Sequence, residues 1–165
     1  MSSQDSRLPA ISCKGVWQIY GADAPEQLRQ ALAEAGNDAA KSAALLRRRG
    51  LVPAVQDVTF DVMEGEVFVV MGLSGSGKST LARVIALIDA PTSGELRIEG
   101  KPVDIRTRRP GPEMRSKVQM VFQNPYGSLN PRQKIGDVLM EPLLLNTDTP
   151  APERRARAEA MLAKV

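Results

Sequence analysis

The sequence predicts an α/β fold organised around a glycine-rich phosphate loop, and three adjoining features point to it. The stretch "GLSGSGKST", residues 72–80, meets the spacing G-x-x-x-x-G-K-[S/T] with Gly72, Gly77, Lys78 and Ser79. A continuous apolar run, "EVFVVM", precedes it and reads as a strand of the buried, parallel-sheet kind. Behind it Leu81, Val84, Ile85 and Ile88 recur at i, i+3, i+4 and i+7, the stripe of an amphipathic helix that stops before Pro91. Strand, loop and helix in that order form a cradle for phosphate.

The other elements follow along the chain. Residues 11–20, "ISCKGVWQIY", read as a short strand. In residues 23–50, Asp23 and Glu26 have the pattern of a capping box, Pro25 sits in a first turn, and Leu28 and Leu32 share a face. Gly36 and Gly50 stand where helices stop, so this segment predicts a two-helix hairpin. Its many alanines and few large apolar residues predict a surface appendage, not a core element. "AVQDVTFDV" alternates as a strand, and Glu64-Gly65 turns the chain into the apolar run. After the loop helix, "PTSGELRIEGKPV" predicts a turn and a small hairpin, and "RTRRPGPEM" a polar linker. "KVQMVF" predicts another strand, "QNPYGSLNPRQ" a loop, and "IGDVLMEPLLL" a helix broken near Pro142. The last stretch, "APERRARAEAMLAKV", is a charged helix running to the final residue without a cap, which predicts truncation.

Glycines at these positions let successive backbone N–H groups turn inward toward phosphate oxygens. The helix that follows adds its first N–H groups and the positive end of its dipole. Lys78 supplies a point charge for β- and γ-phosphates, and the Ser79 hydroxyl is placed to ligate Mg²⁺. The candidate phosphate-contacting residues are therefore Gly72, Ser74, Gly75, Ser76, Gly77, Lys78, Ser79 and Thr80. A glycine-rich turn with no ligand is the bland alternative, and the flanking strand and helix argue against it.

Composition narrows the function classes. A chain of 165 residues suits one domain with a real core. The net charge of +3 is mild, and the arginine clusters at 47–49, at 106, 108 and 109, and at 154, 155 and 157 have no aromatic residues interleaved within them. Solvated surface and helix C-terminal charge fit them better than a nucleic-acid interface. A single cysteine, Cys13, excludes an intrachain disulfide and fits a reducing compartment. No apolar stretch approaches the roughly 20 residues of a membrane span, and the N-terminus lacks a signal-peptide core. The expectation is a soluble intracellular chain that reaches a membrane only through partners.

Taken with these residues, the chain resembles the nucleotide-binding subunits of ABC transporters. The resemblance rests on the loop wording G-x-S-G-S-G-K-S-T, the lead-in "DVTFDVMEGEVFVVMG", the hairpin "PTSGELRIEGKPV" and the strand-and-glutamine "VQMVFQNP". It implies ATP and Mg²⁺ as ligands, Gln123 as the Q-loop glutamine that helps position Mg²⁺ and the attacking water, and Tyr20 as the aromatic stacked on adenine. Trp17 is the rival for that stacking role. The implied architecture is an incomplete P-loop NTPase (ABC ATPase) core with an antiparallel β subdomain and an N-terminal helical-hairpin insertion. Within a partial nucleotide-binding domain over 1–165, residues 23–50 would be the insertion, 52–122 the β subdomain and P-loop core, and 123–165 the Q-loop and the start of the helical subdomain.

Two subfamilies share the likeness. Residues 11 to about 80 resemble ATPases of glycine betaine and other quaternary-amine importers, and residues from about 81 onward resemble the second ATPase of dipeptide and oligopeptide importers. The resemblance implies transmembrane permease subunits met through the segment after Gln123, a second ATP-binding subunit, a solute-binding protein acting indirectly, and a place on the inner face of the plasma membrane. No nucleic-acid partner is implied.

Hydrolysis in that family also needs an apolar strand ending in Asp-Glu, an L-S-G-G-Q segment and a switch histidine. The sequence has no histidine and no L-S-G-G-Q. Asp89 follows apolar residues in "ALIDAP", yet Ala90 and Pro91 come next, and it reads as a helix end. The chain is expected to bind nucleotide without turning it over, and to expose core surface for lack of later strands. A nucleotide-binding but inert fragment, a P-loop phosphotransferase, and a soluble ABC ATPase of DNA repair or translation are the alternatives. The wording around Gln123 disfavours the last two.

Overall fold

Strand β1 (Ile11–Tyr20) lies inside a four-stranded antiparallel sheet with β2 (Val52–Val62), β3 (Ser93–Ile98) and β4 (Lys101–Pro102), in the order β2-β1-β3-β4. The computed structural model describes residues 8–105, 111–124 and 129–164. It divides into two units, Met1–Met120 and Val121–Val165. Cys13, Val16, Trp17 and Ile19 make β1 the most buried strand, and β2 follows it in register from Ile11↔Val62 to Tyr20↔Val52. A bulge interrupts that ladder between Cys13 and Val16, where Gly15 takes φ 56° and its N–H is satisfied by Thr59 Oγ1 at 2.9 Å.

The predicted hairpin is present as α1 (Ala24–Glu34) and α2 (Ala39–Arg48). Gly36 and Gly50 both take left-handed φ, and the amides one residue on, of Asn37 and Leu51, reach back to Leu32 O at 2.8 Å and Leu46 O at 3.0 Å. Two expectations for this segment fail. Asp23 is itself left-handed, at φ 49°, and makes no side-chain cap, so the capping box does not form; Glu26 instead takes Arg29 and Gln30 as partners. Nor is the hairpin a mere appendage. Leu28, Ala31, Ala43 and Leu46 bury themselves against Trp17, Ile19 and Leu51, forming one of the two apolar cores of this unit. The small alanines work as close-approach residues, letting two helices and a strand meet around two leucines and an indole.

α2 does have a side-chain cap: Asp38 accepts from Lys41 N at 2.9 Å. Asp38→Ala is expected to destabilise the unit by about 1 kcal/mol, with Asp38→Asn close to wild type, as read by thermal or urea unfolding.

The second core joins Cys13, Val16, Val55, Leu81, Val84, Leu96 and Ile98 beneath α3 (Lys78–Ile85). Burial, with Asp61 nearby, pushes the Cys13 thiol up to about 11 and keeps it protonated at neutral pH. Here the sequence expectations diverge from the structure again. Residues 66–71 form no strand, and Val67, Val69 and Met71 are largely exposed. Apolar, β-branched residues favour a strand only where neighbouring backbone accepts their ladder bonds, and among the described residues none pairs with this run. Its recorded ring contact is Phe68 stacked on Phe60 of β2, centroids 4.7 Å apart. The same holds at residues 118–122, also expected as a strand: the segment is irregular, with Val121 exposed. α4 (Pro112–Lys117) precedes it, and the predicted linker at residues 106–110 lies outside the described residues.

The predicted hairpin at residues 91–103 is confirmed as β3 and β4 around Glu99 and Gly100. In the second unit α5 (Ile135–Asn146) is not broken at Pro142; it continues one further turn, where Asn146 Nδ2 and Thr147 Oγ1 take the carbonyls of Pro142 and Leu143. α6 (Ala151–Leu162) completes that unit. Among the described residues no helix is long and apolar enough to cross a membrane.

Candidate functional site

The loop at residues 72–80 ends on Gly77, which caps α3 in a left-handed conformation at φ 90° and offers no side chain to the helix's first N–H groups. The first backbone bond of the helix is Leu81 N to Gly77 O at 2.8 Å, so the amides of Lys78, Ser79 and Thr80 precede the intrahelical ladder. Such a helix start is suited to an anion.

Lys78 folds back over the loop. Its Nζ donates to Gly72 O at 2.8 Å and Leu73 O at 2.7 Å, with Ser76 Oγ at 3.5 Å. Ser76 N closes the turn on Leu73 O at 3.2 Å, and Gly75 takes φ 76°. Ser79 is exposed at the helix start, where its hydroxyl is accessible to a cation.

Space bears on two of these positions, by a movable hydroxyl at Gly72 and by backbone at Gly77. A Cβ on Gly72 would lie 2.6 Å from Ser76 Oγ, and one on Gly77 would lie 2.0 Å from the carbonyl oxygen of Ala54 on β2. A cavity of about 300 Å³ lies between β2 and the loop, with Ala54, Val58, Met71, Gly72, Ser76 and Lys78 among its walls. The glycine-capped helix start and the lysine folded over the loop are groups able to donate to an anion.

The two aromatic candidates separate. Trp17 is 3% exposed beneath the hairpin, whereas Tyr20, at the end of β1, is 45% exposed. Of the two, only Tyr20 is exposed. Asp89 lies past the end of α3 with its carboxylate against the Arg83 guanidinium at 2.7 and 3.0 Å, and that contact holds it below the usual carboxylate range. It stands past a helix end, as expected, and the ion pair with Arg83 is added by the structure. Gln123 is exposed and belongs to the second unit, and residues 125–128 of the loop after it lie outside the described residues.

The family model described as ABC transporter matches residues 55–165. The chain belongs to the ABC transporter family. Members with curated names include the di/tripeptide transport ATP-binding protein DppF of Pseudomonas aeruginosa, 48% identical over 124 residues that make up 75% of this chain and 38% of that protein. The dipeptide transport ATP-binding protein DppF of Escherichia coli is 47% identical over 115 residues, 70% of this chain and 34% of its own length. This ABC-family chain thus spans between a third and two fifths of those relatives. The fold is similar to that of the ATP-binding cassette MJ0796 in a dimeric post-hydrolysis state bound to ADP and Pi, with TM-score 0.64 and 25% identity over 93% of this chain and 56% of that one. The hairpin at residues 24–48 lies ahead of the segment matched by the ABC transporter model.

Arg83, Thr92 and Ala54 were not singled out from the sequence. An arginine paired six residues on, beyond a helix end, follows no helical periodicity, and a carbonyl beneath a glycine has no side-chain signature at all.

Proposed function

We propose that this chain is the nucleotide-binding part of an ATP-binding subunit of an ABC importer for di- and oligopeptides. The reading rests on one observation above the rest: a glycine-capped helix start and a lysine folded over the preceding loop's carbonyls. In this reading Gly72, Ser74, Gly75, Ser76, Gly77 and Thr80 hold the triphosphate through backbone amides, and Lys78 exchanges its carbonyl partners for β- and γ-phosphate oxygens. Ser79 ligates Mg²⁺, the Tyr20 ring packs on adenine, and Gln123 keeps the Mg²⁺- and water-positioning role that the family resemblance implies. Bound Mg²⁺ neutralises charge on the phosphates.

Similarity to two DppF proteins supports peptide as the transported class over glycine betaine, whose likeness is confined to the N-terminal segment. Residues 23–50 are the insertion, 52–122 the β subdomain with the loop, and 123–165 the Q-loop and the start of the helical subdomain. The partners of the whole protein are transmembrane permease subunits and a second ATP-binding copy, with a solute-binding protein acting indirectly, at the inner face of the plasma membrane. The dimeric state of the MJ0796 cassette is consistent with pairing.

Calorimetric titration with nucleotide tests the reading. MgATP is expected to bind saturably, and Ser79→Ala to lose about tenfold in affinity with Mg²⁺ present and little with EDTA, because only the metal-linked contact is removed. Absence of saturable MgATP binding would overturn the assignment. Equal loss with and without Mg²⁺ would remove Ser79 from the metal site.

A further inference from the structure

Between the phosphate-loop helix and Tyr20 runs a short connection, residues 87–92, anchored at both ends. At the helix end, Ile88 N and Asp89 N both donate to Arg83 O, at 2.9 and 3.3 Å. Arg83 in turn clasps the Asp89 carboxylate through Nε at 2.7 Å and Nη2 at 3.0 Å. Leu87 between them is held at φ 59°, a conformation that a branched side chain keeps only where its surroundings enforce it.

At the sheet end the anchor is Thr92. Its N–H donates to Trp17 O at 2.8 Å, while its hydroxyl accepts from Ile19 N at 2.9 Å and donates to Ile19 O at 3.3 Å. Pairing of β3 with β1 stops at Trp17↔Ser93, so the Thr92 hydroxyl takes over where the ladder ends and serves both backbone groups of Ile19. Thr92 and Ile19 are both buried, and the next residue along β1 is Tyr20. The connection is therefore tied at one end to the helix that begins at Lys78 and at the other to the residue before the exposed ring.

We propose that residues 87–92 act as a ruler between the phosphate loop and the Tyr20 ring, with Thr92 and the Arg83–Asp89 pair as positioning residues for the base of a bound nucleoside triphosphate. The inference rests on the nucleotide-site reading given above and deepens it. The loop amides and Lys78 grip the phosphates whatever is attached to them. The ruler sets whether a base attached to those phosphates meets the Tyr20 face. Damage to it separates the two halves of recognition, which a general loss of stability does not.

The test compares the affinity of the full chain for MgATP with its affinity for magnesium tripolyphosphate, which has the phosphates and no base. Tyr20→Ala is expected to lower MgATP affinity about tenfold and leave tripolyphosphate unchanged, the size of one lost stacking contact. Thr92→Val, which keeps the shape and removes the hydroxyl, is expected to lower MgATP affinity about fivefold with tripolyphosphate again unchanged. Thr92→Ser restores the wild-type ratio, and Asp89→Asn, which keeps one hydrogen bond to Arg83, shifts it about threefold. A Thr92→Val protein in which both ligands weaken equally, or neither does, overturns the ruler. A Tyr20→Ala protein with an unchanged ratio overturns the base-stacking reading itself, a failure distinct from that of the ruler.

Discussion

Lys78→Ala is expected to lower MgATP affinity by about 100-fold. The ammonium now holds the carbonyls of Gly72 and Leu73 at 2.8 and 2.7 Å, both exposed contacts within its own loop. Those partners are neutral. Phosphate oxygens carry full charge, and hydrogen bonds between charged groups contribute about 1.5–3 kcal/mol each. Losing two such bonds amounts to about 3 kcal/mol, hence the expected factor. The unfolding midpoint is expected to move little, since the bonds broken in the absence of nucleotide are solvent-exposed. Calorimetric titration alongside thermal unfolding checks both halves, and MgATP binding within threefold of wild type would show that Lys78 does not reach the phosphates.

Gly77→Ala is the larger effect on folding. The residue sits at φ 90°, where alanine is disfavoured by about 1–2 kcal/mol. Its new Cβ would lie 2.0 Å from Ala54 O and 3.0 Å from Ala54 C, both backbone atoms of a strand that is itself paired with β1. Overpacking against such a neighbour adds about 1–3 kcal/mol. A total of about 3 kcal/mol corresponds to a fall in the unfolding midpoint of roughly 6–12 °C for a chain of this size. Gly75→Ala is the control. That position is also left-handed, at φ 76°, but a Cβ there meets nothing within 4 Å, so only the conformational part of the penalty remains. Equal melting of the two variants would mean that β2 does not pass beneath the loop.

These contrasts show what the sequence carries and what it does not. Gly36 and Gly50 mark their helix ends because a left-handed terminus is a local requirement that glycine meets best, and the loop spacing is local in the same sense. Strands β1 and β2 are legible from their apolar and β-branched residues and found their partners. The run at residues 66–71 has equally strong strand chemistry, yet strand formation is a property of two segments, and the sequence of one cannot report the other. The roles of Trp17 and Tyr20 were undecided for a related reason. Three residues apart on one strand, they differ in that the helical hairpin packs over the first while the second stays exposed. Thr92 is the least legible of all: in sequence it is a turn residue beside a proline, and only the end of the β1–β3 ladder turns its hydroxyl into a backbone partner.

The placement of Trp17 also decides how this protein is to be watched. It is the sole indole in the chain, sealed among Leu28, Ala31, Ala43 and Leu46 of the hairpin core. Ultraviolet emission excited at the tryptophan band is therefore a report on whether the two helices remain docked on β1. Its red shift on denaturation times the departure of an element that lies ahead of the segment matched by the ABC transporter model.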